Sequence, residues 1–370
     1  MFRKSNEVAI IGAGIIGLLL AKKLAEKGIT VEVYDSKKEI SDAANKASGI
    51  LSISGLATIP INYKPAIINM LNGAKIFTKN SLLSIRANDN KAYILDRAKL
   101  AEICANEAVE SGAKINLNSR LTKLDIEKMQ SEYKVLVGAD GAVSTVASTF
   151  AFPKIDDYIL TYKAVFKNVS IKDTKIVEIY FMKNITKKFF GWTAPYSKSK
   201  LEVGIGISQK EHRNSFNAFS MFIKNDIIKK KLKNAKMIEG YASLIPINQR
   251  KQTVKSNILL VGDSAGQVKA TTGGGIIFGS MCADVAANSI FNYIKKGEQL
   301  NNYENEWRKK YMKNLRIHNF LHTLYSNLND DSLSMLVKVS KIFGIEKFLS
   351  RYGDMDNPSI TIKKFFFRNK

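Results

Sequence analysis

Cysteine and histidine are almost missing from this sequence. It holds two cysteines, Cys104 and Cys282, and three histidines, His212, His318 and His322. Both cysteines fall in helical patterns far apart in sequence, so they cannot build a disulfide framework or bind an iron–sulfur cluster, and they lack metal-ligand spacing. His318 and His322 share a helix face at i and i+4. Neither a nearby cysteine nor an HExxH pattern accompanies them, so we expect a packed or surface helix there and no metal site. A reducing cytosol fits this usage. Glycine and proline are not in excess and no repeat at a fixed period is visible, which leaves a globular chain. Its 370 residues, 45% of them hydrophobic, suffice for a substantial core and for two or three domains.

Long hydrophobic runs are also lacking. The apolar stretch Val8 to Ala21 after Arg3 and Lys4 mimics a signal peptide, but it is too short for a bilayer, which needs about 20 residues. No small-residue cleavage site closes it before Lys22, Lys23 and Glu26, so we expect no cleaved signal. Acidic residues are the scarcer charge, 33 against 57 basic, for a net +24. Such a field favours anionic partners: phosphates, nucleic acid or an anionic membrane. The basic residues are spread along the whole chain, so a compositional bias with solvated lysines is the alternative. With no RNA- or DNA-binding motif present, we expect no nucleic-acid partner.

The N-terminus carries the densest motif. Glu7 to Ile11 reads as a buried parallel strand. Gly12-Ala-Gly14-Ile-Ile-Gly17 follows, then a helix over Leu18–Lys27 with Gly28 as its stop, then a strand over Ile29–Tyr34 ended by Asp35. Gly12 permits the tight turn. Gly14 lets a pyrophosphate approach the backbone, and Gly17 lets helix and strand pack closely. The helix N-terminus offers N–H groups to phosphates, and Asp35 accepts from ribose hydroxyls. The unit predicts a dinucleotide site without choosing the dinucleotide.

Further along, Ser41–Ser54 reads as a loop. Leu95-Asp-Arg97 opens a helix reaching Gly112, and strands follow at Ala113–Leu117 and Tyr133–Gly138, with a short helix at Val143–Ala147. Between about 155 and 250, strand-like alternation at Tyr158–Val169, Lys175–Phe181, Lys200–Ile207 and Tyr241–Ile247 brackets a basic amphipathic helix, Phe216–Leu232. The strand Asn257–Gly262 returns to the parallel type and leads to Asp263. Gly273-Gly274-Gly275 precedes an apolar helix from Ile276 to about Tyr293. The remainder reads as a helical tail.

Val261-Gly262-Asp263-Ser-Ala-Gly266 with Thr272-Gly273-Gly274-Gly275-Ile276 resembles the second FAD motif of the p-hydroxybenzoate-hydroxylase-like flavoproteins. Within them the chain looks most like the geranylgeranyl reductase family, which saturates isoprenoid chains of archaeal lipids and chlorophyll precursors. The resemblance covers roughly residues 5 to 310. It implies FAD as cofactor, with Asp263 on the ribityl chain and the glycine turn against the isoalloxazine at a helix start. Arg97 matches the family's arginine near the FAD phosphates or ribose. The cofactor-binding set implied is Gly12, Ala13, Gly14, Ile16, Gly17 and Asp35 from the first unit; Ala47, Gly49, Arg97 and Leu121 between the motifs; and Asp263, Gly273, Gly274, Gly275 and Ile276 from the second. Phe190-Gly-Trp192-Thr-Ala-Pro195, followed by Val203-Gly-Ile-Gly206, resembles the strand that lines the family's lipid pocket, which makes Phe190, Trp192 and Pro195 substrate-binding residues. Tyr303-Glu-Asn-Glu-Trp307-Arg308 resembles a stretch of the family's tail.

The chain departs from the family at several points. Ala47, in Lys46-Ala47-Ser48-Gly49-Ile-Leu-Ser52, occupies the place of a cysteine, so no thiol chemistry occurs there. Gly138-Ala-Asp140-Gly141-Ala-Val-Ser144 continues with Val146-Ala147 where the hydroxylases have Val-Arg. Lys269-Ala270 stands where the family has Asp-Pro, which places a cation near the flavin to favour its anionic reduced form or to meet a lipid phosphate.

The fold expected is α/β: a Rossmann-type FAD-binding domain (1–154 and 251–300), an inserted mostly antiparallel β-sheet substrate domain (155–250) and a C-terminal helical region (301–370). The function implied is reduction of C=C bonds in a geranylgeranyl-type lipid by hydride from flavin N5, with no side-chain catalyst named. NADPH, ferredoxin and quinol all remain open as electron donor. Rival readings are a flavin monooxygenase or halogenase of the same fold, and a flavin-bound lipid binder without turnover. The Phe216–Leu232 helix and the Phe365–Arg368 end are expected to hold a cytoplasmic protein at an anionic membrane.

Overall fold

The alternation of apolar strand and helix at the N-terminus builds a parallel sheet. In the structure, a computed structural model, residues 6–42, 44–211 and 214–366 are described; Arg3, Lys4, His212, Phe367 and Arg368, named above, lie outside them. The sheet runs in the order Val254–Lys255, Ile258–Leu260, Tyr133–Gly138, Asn6–Ile11, Val31–Tyr34, Lys114–Asn116. Only the edge pair Val254–Lys255 with Ile258–Leu260 is antiparallel. Its central strand is buried on both faces, which is why Val8 to Ile11 is a continuous apolar run. One face carries helices Ile15–Glu26, Arg97–Glu110 and Ile276–Lys296, which share the largest apolar core. The other carries Lys123–Glu132 and Thr145–Thr149 over a smaller one.

A seven-stranded sheet forms the second layer, in the order Lys236–Pro246, Tyr158–Lys167, Lys200–Ser208, Gly191–Ser197, Ile176–Tyr180, Gly73–Phe77, Leu82–Arg86. It is antiparallel except where Ile176–Tyr180 meets Gly73–Phe77. Two of its strands therefore come from residues 73–86, well before the boundary at 155 that composition suggests. Gly73–Phe77 lies inside the sheet and Leu82–Arg86 at its edge, but both are of mixed polarity, so hydrophobic patterning does not reveal them. A third sheet of Ile50–Ser52, Ala92–Leu95 and Ile67–Leu71 replaces part of the loop expected over Ser41–Ser54.

The single basic helix expected over Phe216–Leu232 is two helices, Ser215–Lys224 and Asp226–Lys231. Asn225 stops the first and caps the second through Ile227 N–H. Part of their apolar surface packs inward, while Phe216, Met221 and Ile227 stay exposed. Ala218, Phe219, Phe222 and Ile228 are buried under the antiparallel sheet, where Phe219 packs on Tyr162 and Phe222 on Tyr180.

Four helices make the C-terminal region: Asn302–Asn327, Asp330–Ile342, Ile345–Tyr352 and Pro358–Phe366. The first is pinned to the parallel sheet. Tyr303 donates its hydroxyl to Leu260 O (2.8 Å), Gln267 donates to Tyr303 (2.8 Å), and Trp307 Nε1 donates to Thr253 Oγ1 (3.1 Å). Among the described residues no helix is long and apolar enough to cross a membrane.

Candidate active site

A cleft of about 780 Å³ opens along the C-terminal ends of the parallel strands. That volume is in the range of a cofactor-sized site. Two long helices start in its wall, at Gly14–Ile15 and Gly275–Ile276, and neither start has a side-chain cap or an acid in its first turn. The helices at Arg97 and Lys123 are capped by Asp96 and Thr122. The two bare helix starts present backbone N–H groups and positive dipole ends to the cleft, an arrangement that suits an anionic ligand.

The N-terminal turn is built as its glycines require. Gly12 has φ +110°, and a Cβ there would lie 2.4 Å from Ala139 O. A Cβ on Gly17 would lie 2.0 Å from Gly12 O, so any larger residue forces helix and strand apart. Asp35 ends its strand in the cleft wall. Its Oδ2 accepts from Ala13 N–H at 2.7 Å and its Oδ1 from Lys37 N–H at 3.0 Å. Lys37 clamps the same turn by donating to Ala13 O (2.6 Å), and burial lowers its pKa.

Most expected cofactor residues meet here. Gly12, Gly14, Ile16 and Asp35 line the cleft. Ala47, Arg97, Leu121, Asp263, Gly273, Gly275 and Ile276 line it as well. Four are not in the wall. Ala13 is fully buried, Gly17 packs on Gly12, and Gly49 abuts Leu95 O. Gly274 covers the Lys269 stem, where a Cβ would meet Lys269 Cε at 2.9 Å. Lys37, Arg120 and Asp140 line the cleft as well. Asp140 was visible in the Gly-Ala-Asp-Gly segment; Lys37 and Arg120 carry no motif, and only chain tracing brings them in.

Arg97 and Asp263, both half-buried, line the cleft within reach of each other's charge. Burial lowers the Arg97 pKa, opposed by the charges of Asp263 and Glu202. Burial pushes the Asp263 carboxyl up, opposed by Arg97. Arg97 Nε has no hydrogen-bond partner. A buried guanidinium N–H left open at the cleft is a donor waiting for an acceptor.

Beyond Arg97 lies a charged cluster that motif reading did not find. Glu202 is fully buried on the antiparallel sheet. It accepts from Lys163 Nζ (2.9 Å), Trp192 Nε1 (2.8 Å) and Tyr196 OH (2.8 Å). Burial raises the Glu202 pKa, but the charge and hydrogen bond of Lys163, with the bond from Trp192, outweigh it, and the net shift is downward.

Trp192 and Gly204 are register partners on neighbouring strands, and a Cβ at 204 would lie 2.1 Å from the indole. The missing side chain is the space that the ring fills. Phe190 stacks on Phe189 (4.2 Å) and meets Trp192 edge-on (6.2 Å). Phe190, Trp192 and Ala194 join Leu71, Ile94 and Ala270 in one apolar cluster. Pro195 is buried beside them, its carbonyl accepting from Asn69. Phe190 and Trp192 thus lie together, packed with Leu71, Ala92 and Ile94, which the sequence did not associate with them; Pro195 lies on the strand of Trp192, outside that cluster. None of the three lines the cofactor cleft.

Lys269 requires a correction. It is not a free cation: it is 5% exposed and pairs at 2.5 Å with Asp356, which is 1% exposed and comes from the C-terminal tail. Ser52 also donates to Asp356. Lys269 N–H bonds Gly274 O (3.1 Å) and its carbonyl accepts from Gly273 N–H (2.8 Å), so the pair sits directly behind the glycine turn.

His318 is part of the same packing. Its Nδ1 is 2.7 Å from Thr271 Oγ1 and its ring meets Phe278 edge-on. Burial first, then the Lys269 charge, lower its pKa from 6.5 to about 4. Between those values the unfolded chain takes up a proton that the folded chain refuses. Stability from this group is therefore complete above pH 6.5 and is lost as pH falls toward 4. In urea unfolding across this window, His318→Gln should flatten the slope by up to about 1.4 kcal/mol per pH unit. An unchanged slope would show that His318 is not the group responsible.

The FAD dependent oxidoreductase family matches residues 7–89. With the bare helix starts, the glycine turns and the open Arg97 donor, the protein is an FAD-dependent oxidoreductase. More particularly, it resembles the geranylgeranyl reductases along nearly its whole length. It is 25% identical to a digeranylgeranylglycerophospholipid reductase of Methanocaldococcus jannaschii, over 93% of this chain and 94% of that one. An uncharacterised protein of the same organism is 27% identical over 98% and 95%. Among solved structures, a geranylgeranyl bacteriochlorophyll reductase-like protein of Thermoplasma acidophilum shares the fold at TM-score 0.81, with 19% identity over 97% and 98% of the two chains. The flavin-dependent brominase Bmp2 shares it at 0.72, with 14% identity over 99% and 100%.

Proposed function

We propose that this protein saturates C=C bonds in the prenyl chains of a lipid. When bound and reduced, FAD supplies the hydride for one alkene carbon, and a proton completes the other. The bare start of helix Ile15–Glu26 and the Gly12–Gly14 turn hold the pyrophosphate, and Asp35 receives the adenosine ribose. Arg97 and Asp263 fix the middle of the cofactor, and Gly273–Gly275 supports the ring end, where the second bare helix start favours negative charge. The observation that carries the substrate reading is the apolar wall of Phe190, Trp192 and Ala194 closed by Ala270, the neighbour of the glycine turn. A hydrocarbon offers no hydrogen bonds, so such a wall orients it by shape and keeps water out. The likeness to lipid reductases over nine-tenths of the chain supports the same reading.

The test is anaerobic. Dithionite-reduced holoenzyme is incubated with a geranylgeranylated glycerophospholipid and the lipid is analysed by mass spectrometry. A pair of hydrogens gained per double bond is expected. No gain under these conditions, together with oxygen-dependent modification of an aromatic compound, would replace the reading with the halogenase or monooxygenase one.

A further inference from the structure

Helix Asn302–Asn327 turns two unlike faces to its surroundings. One, with Tyr303, Trp307, Leu315, His318 and His322, is buried in the molecule. The other, together with Ile362 of helix Pro358–Phe366, bounds an open groove of about 670 Å³. The apolar part of this groove is Met312, Ile317, Phe320, Leu321 and Ile362. Its charged part is Arg308, Lys309, Lys313 and Arg316, with no acid among the lining residues. Arg308 is engaged by Glu304 at 2.9 Å, whereas Lys309, Lys313 and Arg316 enter no ion pair among the described residues.

The apolar side chains around the groove are unusually open. Phe320 is 66% exposed and Phe366 is 75% exposed, and Ile360, Ile362 and Phe365 are also exposed. Large aromatic and aliphatic groups kept in water beside unpaired cations match one surface chemistry: the boundary between phosphate headgroups and acyl chains. We propose that this groove and the adjoining face of helix Pro358–Phe366 seat on a bilayer rich in anionic phospholipid. Phe320, Ile362 and Phe366 enter the headgroup boundary, while Lys309, Lys313 and Arg316 meet phosphates.

A second copy of the chain fits this face poorly. In a two-fold dimer the same patch meets itself, and the unpaired cations of both copies would face one another with no acid to separate them. The other basic segment, Ser215–Lys231, is a weaker candidate because Ala218, Phe219, Phe222 and Ile228 are buried, and its exposed large apolar groups, Phe216, Met221 and Ile227, are each less open than Phe320.

The face is also joined to the site. Helix Pro358–Phe366 starts two residues after Asp356, whose carboxylate is buried on Lys269 behind the glycine turn. One short segment therefore runs from the exposed groove to the back of the glycine turn that borders the cofactor cleft. The docking surface follows from the groove itself; its use, delivery of a bilayer-resident lipid, rests on the reductase reading.

The test is vesicle flotation of the full-length FAD-loaded protein, without substrate. Vesicles of phosphatidylcholine with an equal part of phosphatidylglycerol are compared with phosphatidylcholine alone. Wild type should float with the anionic vesicles and bind neutral ones at least about tenfold more weakly. Lys309→Glu/Arg316→Glu and Phe320→Ser/Ile362→Ser should each lose roughly tenfold or more on anionic vesicles. Lys229→Glu/Lys230→Glu, on the other basic helix, should lose much less. All variants should keep wild-type FAD content and wild-type reduction of a detergent-dispersed prenyl substrate. Flotation needs no turnover, so loss of the reductase reading would leave its result intact. The proposal is overturned if wild type fails to float or if the groove variants bind like wild type. It is equally overturned if sedimentation shows a wild-type dimer that those substitutions dissolve.

Discussion

Asp356→Ala should cost about 3–5 kcal/mol of stability and loosen FAD, although residue 356 lies far from both glycine motifs in sequence. The substitution removes the carboxylate from Lys269, leaving a buried ammonium whose remaining acceptor among the described residues is Met355 O at 3.4 Å. Breaking a buried pair from one side is costly because the other charge stays desolvated. The loss reaches the site because Lys269 is bonded through its backbone to Gly273 and Gly274. A double-mutant cycle isolates the pair. Lys269→Met alone strands Asp356, whereas Lys269→Met with Asp356→Ala strands neither charge and should recover part of the loss in stability and in FAD retention. Additive single effects, or an unchanged unfolding midpoint for Asp356→Ala, would show that the pair does not support the turn.

Glu202→Ala should be as damaging, for a related reason. It leaves Lys163 as a buried charge without its counter-ion and strips the acceptor from the Trp192 indole and the Tyr196 hydroxyl. The expected cost is again about 3–5 kcal/mol, with the unpaired lysine the largest part. Glu202→Gln keeps an acceptor oxygen and should lie between wild type and Ala. It should also respond differently to acid. The folded carboxylate sits below its ordinary 4.5, so its contribution is present above that pH and fades as pH falls. The Gln variant should lack this acid-side loss. Tryptophan fluorescence gives a second readout, because Trp192 loses the bond that holds its ring in the space over Gly204. If Glu202→Ala keeps wild-type stability and an unchanged Trp192 signal, the cluster is not holding the wall.

Much of the cofactor end was legible in advance because its requirements are local. Gly12, Gly17 and Asp35 lie within one strand–turn–helix–strand unit, where spacing alone dictates who meets whom. Arg97 and Asp263 were readable by resemblance, and the cleft brings both to one place. The substrate end was only half legible. Trp192 and Phe190 carried a motif, but the side chains that wall them in come from Leu71, Ile94 and Ala270, three distant segments. Hydrophobic patterning cannot assign mixed-polarity strands such as Gly73–Phe77 and Leu82–Arg86 to a sheet whose other members begin at residue 158. In the Ser215–Lys224 helix composition could not tell which apolar residues a sheet would bury: Phe219 and Phe222 pack inward, while Phe216 and Met221 stay exposed.

By itself the sequence determined the FAD class, the parallel strand core and the two glycine turns, since each depends on residues within a few positions of one another. The sign of the charge near the flavin turn was decided only by tertiary structure. Lys269 read as a lone cation where the family has an acid. Folding brings Asp356 through the tail to cancel it, because a charge buried that deeply is costly without a partner.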